Sequence, residues 1–202
     1  MFTGLIEEVG KIAVLDQDST HTQLVIQASK LSKTLQLGDS LAVNGCCLTV
    51  TKKEDPKLSF DLLTETLLRT SFKQLKSGDA VNLETAVKPT TSLGGHFVSG
   101  HIDATARILT LEKLATEWKL EIAIPSAYER FTPSQGCIAI DGISLTIAES
   151  FPQKIRVNLV PYTWHHTALS EKKVGDLVNL EFDLLAKYVE KIFSSHSLCS
   201  PP

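Results

Sequence analysis

Short runs in which apolar and polar residues alternate recur along the whole chain. Residues 22–26, 41–43 and 47–51 are examples, and turn residues separate them. Alternation with a period of two is typical of a β-strand with one face buried. About five or six such runs fit into each half of the chain, which predicts a small closed or nearly closed antiparallel barrel, because closure removes exposed strand edges.

Two turn dipeptides lie at equivalent places between pairs of predicted strands. They are Asn44-Gly45 in the first half and Asp141-Gly142 in the second. Both dipeptides readily adopt the positive φ angles of a two-residue hairpin loop. We therefore predict a tight hairpin at each position.

The pattern of the first half is repeated in the second. Residues 41–50, 61–66 and 78–84 return as residues 138–147, 158–163 and 175–181, a constant shift of 97 positions. Shifted by 96 positions, Gly4-Leu5-Ile6 matches Gly100-His101-Ile102. A long unit that occurs only twice indicates a duplicated domain and not a solenoid of stacked repeats.

The repeat, together with the segment rich in Pro and Gly between its two copies, predicts where each domain ends. We expect a first barrel over residues 1–88, a polar linker with Pro and Gly over 89–96 and a second barrel over 97–184. In residues 185–202, apolar residues at 185, 188, 189, 192 and 193 have helical spacing. This apolar stripe either packs against its own domain or forms an oligomer contact, and the pattern favours neither.

Composition excludes several classes of function. The chain has 202 residues, 43% of them hydrophobic, and a net charge of -3, so it lacks the basic excess that nucleic-acid binding needs. No apolar run is long enough for a membrane span, and acidic residues follow the N-terminus too closely for a signal peptide, so we expect a cytoplasmic protein. The four cysteines and six histidines show neither a disulfide framework nor the spacing of a metal site.

Small polar residues lie at matched positions after the two predicted hairpins. Alternation places Cys47 and Thr49 on one face of their strand, and Ser144 and Thr146 on the equivalent face of the second copy. Thr and Ser also simply suit strands, just as Asn and Asp suit turns. Because the whole set is duplicated at a constant offset, we interpret it as two pockets for a flat heterocycle with amide-like edges.

The two copies differ at polar positions. Cys47 corresponds to Ser144, Leu5 to His101, and Ala86 to Asp183. Two similar pockets with different polar groups could hold two identical molecules in different roles, one giving a group and the other receiving it. A Ser-His-Asp hydrolase is a weaker interpretation, because no nucleophile elbow surrounds Ser144.

Several motifs carry a resemblance over essentially the whole chain. Residues 1–4, 44–50, 94–96, 99–101, 141–146 and 183–189 resemble motifs of riboflavin synthases of the alpha-chain type, members of the lumazine-protein superfamily. The resemblance implies two six-stranded Greek-key barrels and a C-terminal helix that assembles a homotrimer. It implies that two molecules of 6,7-dimethyl-8-ribityllumazine exchange a four-carbon unit without a metal or other cofactor. It also implies that each active site pairs the first barrel of one subunit with the second barrel of another.

The resemblance also implies a set of site residues. The expected catalytic residues are Cys47, His101, Ser144, Thr146 and Asp183, with His101 as a base and Ser144, oriented by Asp183, adding to or polarising a ring carbon. One lumazine is expected to contact Gly4, Leu5, Ile6, Cys47, Leu48, Thr49, Asp61, Leu62, Leu63, Thr64, Glu65 and Thr66. The other is expected to contact Gly100, His101, Ile102, Ser144, Leu145, Thr146, Asn158, Leu159, Val160, Pro161, Tyr162 and Thr163. Gln135, also expected as a contact, stands where the family usually has Lys and brings no charge.

Two alternatives remain at this point. A non-catalytic lumazine- or flavin-binding protein would share this fold, although the full set of polar residues in both copies favours the enzyme. A flavin reductase would need a nicotinamide-binding region, and no Gly-rich βαβ fingerprint is present. The resemblance leaves open whether the chain associates with lumazine synthase, the enzyme that makes its substrate.

Overall fold

The computed structural model describes residues 1–17 and 22–196, which form two closed β-barrels followed by a helix. The first barrel contains β1 (Glu8–Gln17), β2 (Thr22–Gln27), β3 (Ser40–Val43), β4 (Cys46–Glu54), β5 (Lys57–Leu62) and β6 (Ala80–Thr85). The second contains β7 (Ala104–Lys113), β8 (Trp118–Ala123), β9 (Cys137–Ile140), β10 (Ile143–Phe151), β11 (Lys154–Leu159) and β12 (Leu177–Phe182). The helices are α1 (Thr64–Arg69), α2 (Pro161–His165) and α3 (Leu184–His196), with short 3₁₀ helices at Leu31–Lys33, Ser71–Gln74, Ser126–Phe131 and Ala168–Glu171.

The two barrels have the same strand order. Neighbours in the first barrel run β1-β2-β5-β4-β3-β6, and β6 closes the barrel by pairing with β1. The second barrel repeats this order, and all the pairs are antiparallel. Because β3, β4 and β5 form a meander that crossover connections join to β2 and β6, the arrangement is a Greek key. The prediction of an all-β chain with two six-stranded Greek-key barrels and a C-terminal helix is confirmed.

Alternation along the strands builds a separate core inside each barrel. The fully buried side chains include Leu24, Ile26, Leu58 and Phe60 in the first barrel, and Leu120, Ile122, Ile155 and Val157 at the matching places in the second. Burying one side chain of this size stabilises the fold by about 1.5–3 kcal/mol. Each barrel is therefore a packed body with no room for a ligand at its centre.

The predicted hairpins are confirmed. Asn44 and Gly45 have φ angles of 43° and 79°, and Asp141 and Gly142 have 44° and 79°. The two turns meet, because a Cβ atom built on Gly142 would lie 2.7 Å from the Gly45 nitrogen. Only glycines combine this backbone conformation with so close an approach, so the two turns help to join the barrels.

The segment that precedes each barrel crosses to the other barrel. We call residues 2–6 the first leader and residues 98–102 the second leader. Phe2 and Val98 form an antiparallel bridge with N–O distances of 2.7 and 3.1 Å. Ile6 of the first leader packs against the core of the second barrel, and Ile102 of the second leader belongs to the core of the first. The barrels are thus related by an approximate two-fold axis across which they exchange leaders.

Helix α3 carries its apolar stripe on the outside. Leu185, Tyr188 and Val189 are each more than half exposed, whereas Ala186 packs against the core of the second barrel. The interpretation in which the stripe packs against its own domain is therefore wrong for these three residues. Among the described residues, no helix has the length and apolar character that crossing a membrane demands.

Candidate active site

The leaders are fastened by two buried carboxylates at equivalent positions. Glu84 accepts hydrogen bonds from Thr3 N at 2.6 Å, Thr3 Oγ1 at 2.7 Å and Gly4 N at 2.9 Å. Glu181 accepts the matching three from Ser99 and Gly100, at 2.6, 2.7 and 2.9 Å. Glu84 holds the first leader and Glu181 holds the second. The carbonyl group of the glycine in each leader then reaches the opposite barrel.

The carbonyl groups of these two glycines accept hydrogen bonds from two of the residues predicted to be catalytic. Gly100 O accepts a hydrogen bond from Cys47 N at 2.8 Å, and Gly4 O accepts one from Ser144 N at 2.8 Å. Cys47 and Ser144 are half-buried on the outer faces of β4 and β10, while the alternate residues Leu48 and Leu145 point into the barrels. The predicted face of each strand is correct, and both sites lie outside the barrel cores.

A pocket of about 350 Å³ opens beside Cys47 on the first barrel. Its lining consists of Cys46, Cys47, Leu63, Glu65, Thr66, Arg69, Thr70, Gly100, His101, Ile102 and Asp103. Its volume falls within the range typical of small-molecule sites. Helix α1 and the second leader both contribute residues to this lining.

This lining corrects one prediction. Cys47, Leu63, Glu65 and Thr66 were expected to share a ligand with Gly4, Leu5 and Ile6, but they share the pocket with Gly100, His101 and Ile102. Residues 4–6 lie instead against the second barrel, where Gly4 contacts Ser144. The reason is that the leaders are exchanged between the barrels. The internal repeat of the sequence is the same with and without this exchange, so it does not reveal which barrel each leader contacts.

The site on the second barrel contains a buried histidine beside Ser144. His96 Nδ1 lies 2.7 Å from Ser144 Oγ, and the His96 side chain is only 8% exposed. Burial lowers the pKa of His96 below its usual 6.5, and the charge of Asp183 opposes this shift in part. His96 Nε2 is buried with no hydrogen-bond partner among the described residues. A neutral imidazole whose Nδ1 accepts the Ser144 proton fits this geometry.

Asp183 and Thr146 adjoin this histidine–serine pair. Thr146 faces Cys137 across the β10–β9 pairing, and Phe182 pairs with the next residue of β9, which brings Asp183 to the same edge. Burial, and secondarily the Asp183 charge, raises the pKa of the Cys137 thiol. Asp183 Oδ1 accepts a hydrogen bond from Leu185 N at 2.9 Å and so caps α3. Ser144 is therefore hydrogen-bonded to His96, and not to Asp183 as expected.

Some of the other predicted contact residues are buried in the barrel cores, and others are exposed. Leu62 and Leu159 are buried in the barrel cores, whereas Leu63, Val160 and Tyr162 are exposed at the start of α1 and α2. The remaining predicted contacts, Asp61, Thr64, Asn158, Pro161 and Thr163, lie at the ends of β5 and β11 or in these two helices, and Thr49 is exposed on β4. Gln135 is exposed in the turn before β9 with a φ of 65°, and its backbone amide donates to Ile147 O at 2.7 Å.

Sequence reasoning gave no role to several residues that the structure places in the sites. His96 lies in the linker, outside the repeat, so no counterpart in the other copy indicated a function. Arg69 at the end of α1, Thr70 directly after it and Asp103 directly after the second leader also line the first pocket. Cys46 is not a nucleophile candidate, because burial raises the pKa of its thiol to about 12. In the described parts of the chain, no three His, Cys, Asp or Glu side chains are grouped to hold a metal ion.

Comparison with known proteins agrees with this two-site architecture. The lumazine binding domain model matches residues 3–86 and 99–183. Riboflavin synthase of Actinobacillus pleuropneumoniae is 42% identical over 191 residues, which cover 95% of this chain and 89% of that protein. Riboflavin synthase of Bacillus subtilis is 39% identical over 189 residues, covering 94% and 88%.

Solved structures show the same fold with ligands. The crystal structure of LumP complexed with riboflavin superposes with a TM-score of 0.85 and 27% identity, covering 90% of this chain and 99% of that one. LumP complexed with 6,7-dimethyl-8-(1'-D-ribityl) lumazine gives a TM-score of 0.82 and 26% identity, with the same coverage. The chain belongs to the riboflavin synthase family and carries two copies of the lumazine-binding domain.

Proposed function

We propose that this chain catalyses the dismutation of two 6,7-dimethyl-8-ribityllumazine molecules. A four-carbon unit passes from one to the other, which gives riboflavin and 5-amino-6-ribitylaminouracil. The observation that carries the proposal is the chemical difference between two equivalent sites. Cys47 and His101 line one pocket at the first barrel, whereas Ser144 contacts His96 at the second. A reaction between two identical molecules needs unlike surroundings, because one molecule gives up carbon and the other accepts it.

At the first barrel we assign His101 to proton transfer. The anion of the 7-methyl group of a lumazine delocalises into the ring, so a modest base suffices to remove the proton. His101 is exposed at the wall of the pocket that Cys47 lines, and its imidazole can reach a bound ligand. Proton transfer by a positioned side chain contributes about 10²–10⁴-fold to a rate.

At the second barrel we assign Ser144 to the electrophilic ring. As Ser144 Oγ bonds to carbon 7 of a lumazine, the hydroxyl proton passes to His96 Nδ1, which lies 2.7 Å away. Burial favours the neutral imidazole that this step needs. Thr146 and Asp183 adjoin this pair, and Asp183 also holds the first turn of α3 in place.

A non-catalytic carrier of lumazine or flavin is the alternative. The LumP structures, complexed with riboflavin, lumazine and flavin mononucleotide, have 26–27% identity to this chain. The riboflavin synthases named above have 39–42% identity. Cys47, His101, Ser144, Thr146 and Asp183 are all present here, which favours the enzyme over the carrier.

We also propose that the chain forms a homotrimer through α3. The apolar side chains of Leu185, Tyr188 and Val189 face outward along one side of that helix, as a subunit contact would require. In such an assembly the first barrel of one subunit faces the second barrel of a neighbour, and two lumazines stack between them. Association with lumazine synthase stays a prediction.

We place the domains at residues 1–88 and 97–184, joined by a linker at 89–96 and followed by the helix and tail at 185–202.

We also propose that the protein is located in the cytoplasm. Cys46, Cys47 and Cys137 are free thiols, which favours the reducing cytoplasm over an oxidising compartment.

Turnover with a single substrate tests the proposed function. The purified protein is incubated with 6,7-dimethyl-8-ribityllumazine alone while the flavin absorbance is followed. An enzyme forms one riboflavin for every two lumazines consumed, without an added cofactor. A carrier shifts the lumazine spectrum on binding and forms no flavin. Undiminished turnover by Ser144→Ala would refute the role given to the serine.

A further inference from the structure

An ion pair joins helix α3 to the wall of the first pocket. The Lys187 Nζ atom lies 2.5 Å from Asp103 Oδ2, and the two side chains are only 25% and 20% exposed. Asp103 Oδ2 also accepts a hydrogen bond from Phe182 N at 2.9 Å. Tyr128 Oη donates to the Asp103 carbonyl at 3.1 Å. Asp103 is therefore a fixed point, and it lines the pocket beside His101 and Ile102.

Two anchors flank His101. On its N-terminal side, Gly100 is held by Glu181 through its nitrogen and by Cys47 through its carbonyl. On its C-terminal side, the Asp103 carboxylate is held by Lys187 and Phe182, and the Asp103 nitrogen donates to Leu180 O at 2.9 Å. The segment between the anchors is two residues long, and its second residue, Ile102, is buried in the core of the first barrel. The Lys187–Asp103 contact therefore joins this short, fixed segment to the terminal helix that follows the second barrel.

The equivalent place in the first half has no counterpart of this lysine. Glu7 corresponds to Asp103 at the 96-residue shift, and its carboxylate accepts from Thr85 N and Oγ1 at 2.8 and 2.6 Å. Thr85 in turn corresponds to Phe182. An acidic residue thus occurs at this position in both copies of the repeat. Lys187, in contrast, belongs to α3, which follows only the second copy. This added contact ties the first-barrel pocket to the helix.

We propose that Lys187 and Asp103 are positioning residues that set the His101 wall of the first-barrel pocket according to how α3 is docked. This inference rests on the proposed function, because it assigns the pocket to a lumazine. Asp183 caps the same helix from the second-barrel site. Helix α3 therefore connects to both sites within its first turn, and its placement adjusts the first pocket through a charge-assisted contact that water only partly screens.

Replacement of the lysine tests this link. Lys187→Met keeps most of the side-chain length and removes the charge. We expect KM for the lumazine to rise about tenfold, the loss of one charge-assisted hydrogen bond, and kcat to fall as well, because His101 is the residue assigned to proton transfer. In a fluorescence titration with riboflavin, one class of site weakens by the same factor and the other is unchanged. Lys187→Arg keeps the charge and restores most of the affinity.

Glu190→Gln is the matched control. Glu190 lies on the same helix and pairs with Arg130 of the second barrel at 3.5 Å, so this variant removes a docking contact that does not touch the leader. We expect its KM to equal that of the parent. Equal KM for Lys187→Met and the parent, or the same rise in Glu190→Gln, would overturn the proposal. Absence of turnover in the parent protein would instead overturn the proposed function, so the two failures are distinct.

Discussion

His96 gives the second site an acceptor that the first site does not receive from the same segment. The linker between the two barrels carries it to Ser144 Oγ. A duplicated chain can thus become chemically asymmetric through the connection between its copies. Burial then lowers the pKa of the imidazole, so that it is neutral near pH 7 and able to accept a proton.

His96→Gln tests the acceptor role. We expect kcat to fall about 10²-fold, because the amide cannot accept the proton of Ser144. The parent's kcat is expected to fall at acid pH, through an apparent pKa below the usual 6.5 of histidine. The sign follows from the lowered pKa, since the imidazole keeps its acceptor nitrogen to lower pH and loses it only on protonation. The acid limb of the variant should differ from that of the parent, because His96 no longer contributes to it, and an unchanged profile would contradict the assignment.

Among the secondary-structure elements, local sequence patterns predicted the strands. The same patterns did not predict the contacts between segments that are distant in the sequence. Alternation located β4 and β10 with their polar faces, and the dipeptides at 44 and 141 located both hairpins. Helices α1 and α2, of 6 and 5 residues, are too short to show a helical period. The exchanged leaders escaped prediction because two equivalent segments can trade barrels without changing any residue spacing.

Val189→Asp tests the role given to α3. A charge in the middle of the exposed apolar stripe is expected to convert the proposed trimer into monomers, because a buried unpaired carboxylate opposes association. Light scattering after size-exclusion chromatography measures the mass directly. Lys191→Gln, a change on the polar side of the helix, serves as the control. A trimeric Val189→Asp protein would contradict the proposed interface.

At the scale of the whole molecule, paired contacts across the approximate two-fold axis hold the barrels together. Asn82 Nδ2 donates to Asp141 O, and Asn179 Nδ2 donates to Asn44 O, both at 2.9 Å. The symmetry breaks at Asp141, whose counterpart is Asn44. Lys172 Nζ lies 3.5 Å from the buried Asp141 carboxylate. Burial raises the pKa of Asp141, and Lys172 opposes that shift.

A double-mutant cycle measures this buried pair. Lys172 corresponds to Leu75, so Asp141→Asn with Lys172→Leu recreates the first-barrel arrangement in the second. Lys172→Leu alone is expected to lower the free energy of unfolding by about 3 kcal/mol, because it leaves a buried carboxyl without its cation. The double variant should regain most of that loss in urea denaturation. Additive losses would show that the two side chains do not act as a pair.

Titration with an unreactive ligand counts the binding sites of each chain. We propose that each barrel offers one site and that the two sites differ in chemistry. A ribityllumazine analogue without the 7-methyl group cannot react, because it lacks the proton that starts the transfer. Equilibrium titration of the protein with this analogue is predicted to saturate at two molecules per chain, with two distinct affinities. Saturation at one molecule per chain would contradict the arrangement of one site on each barrel.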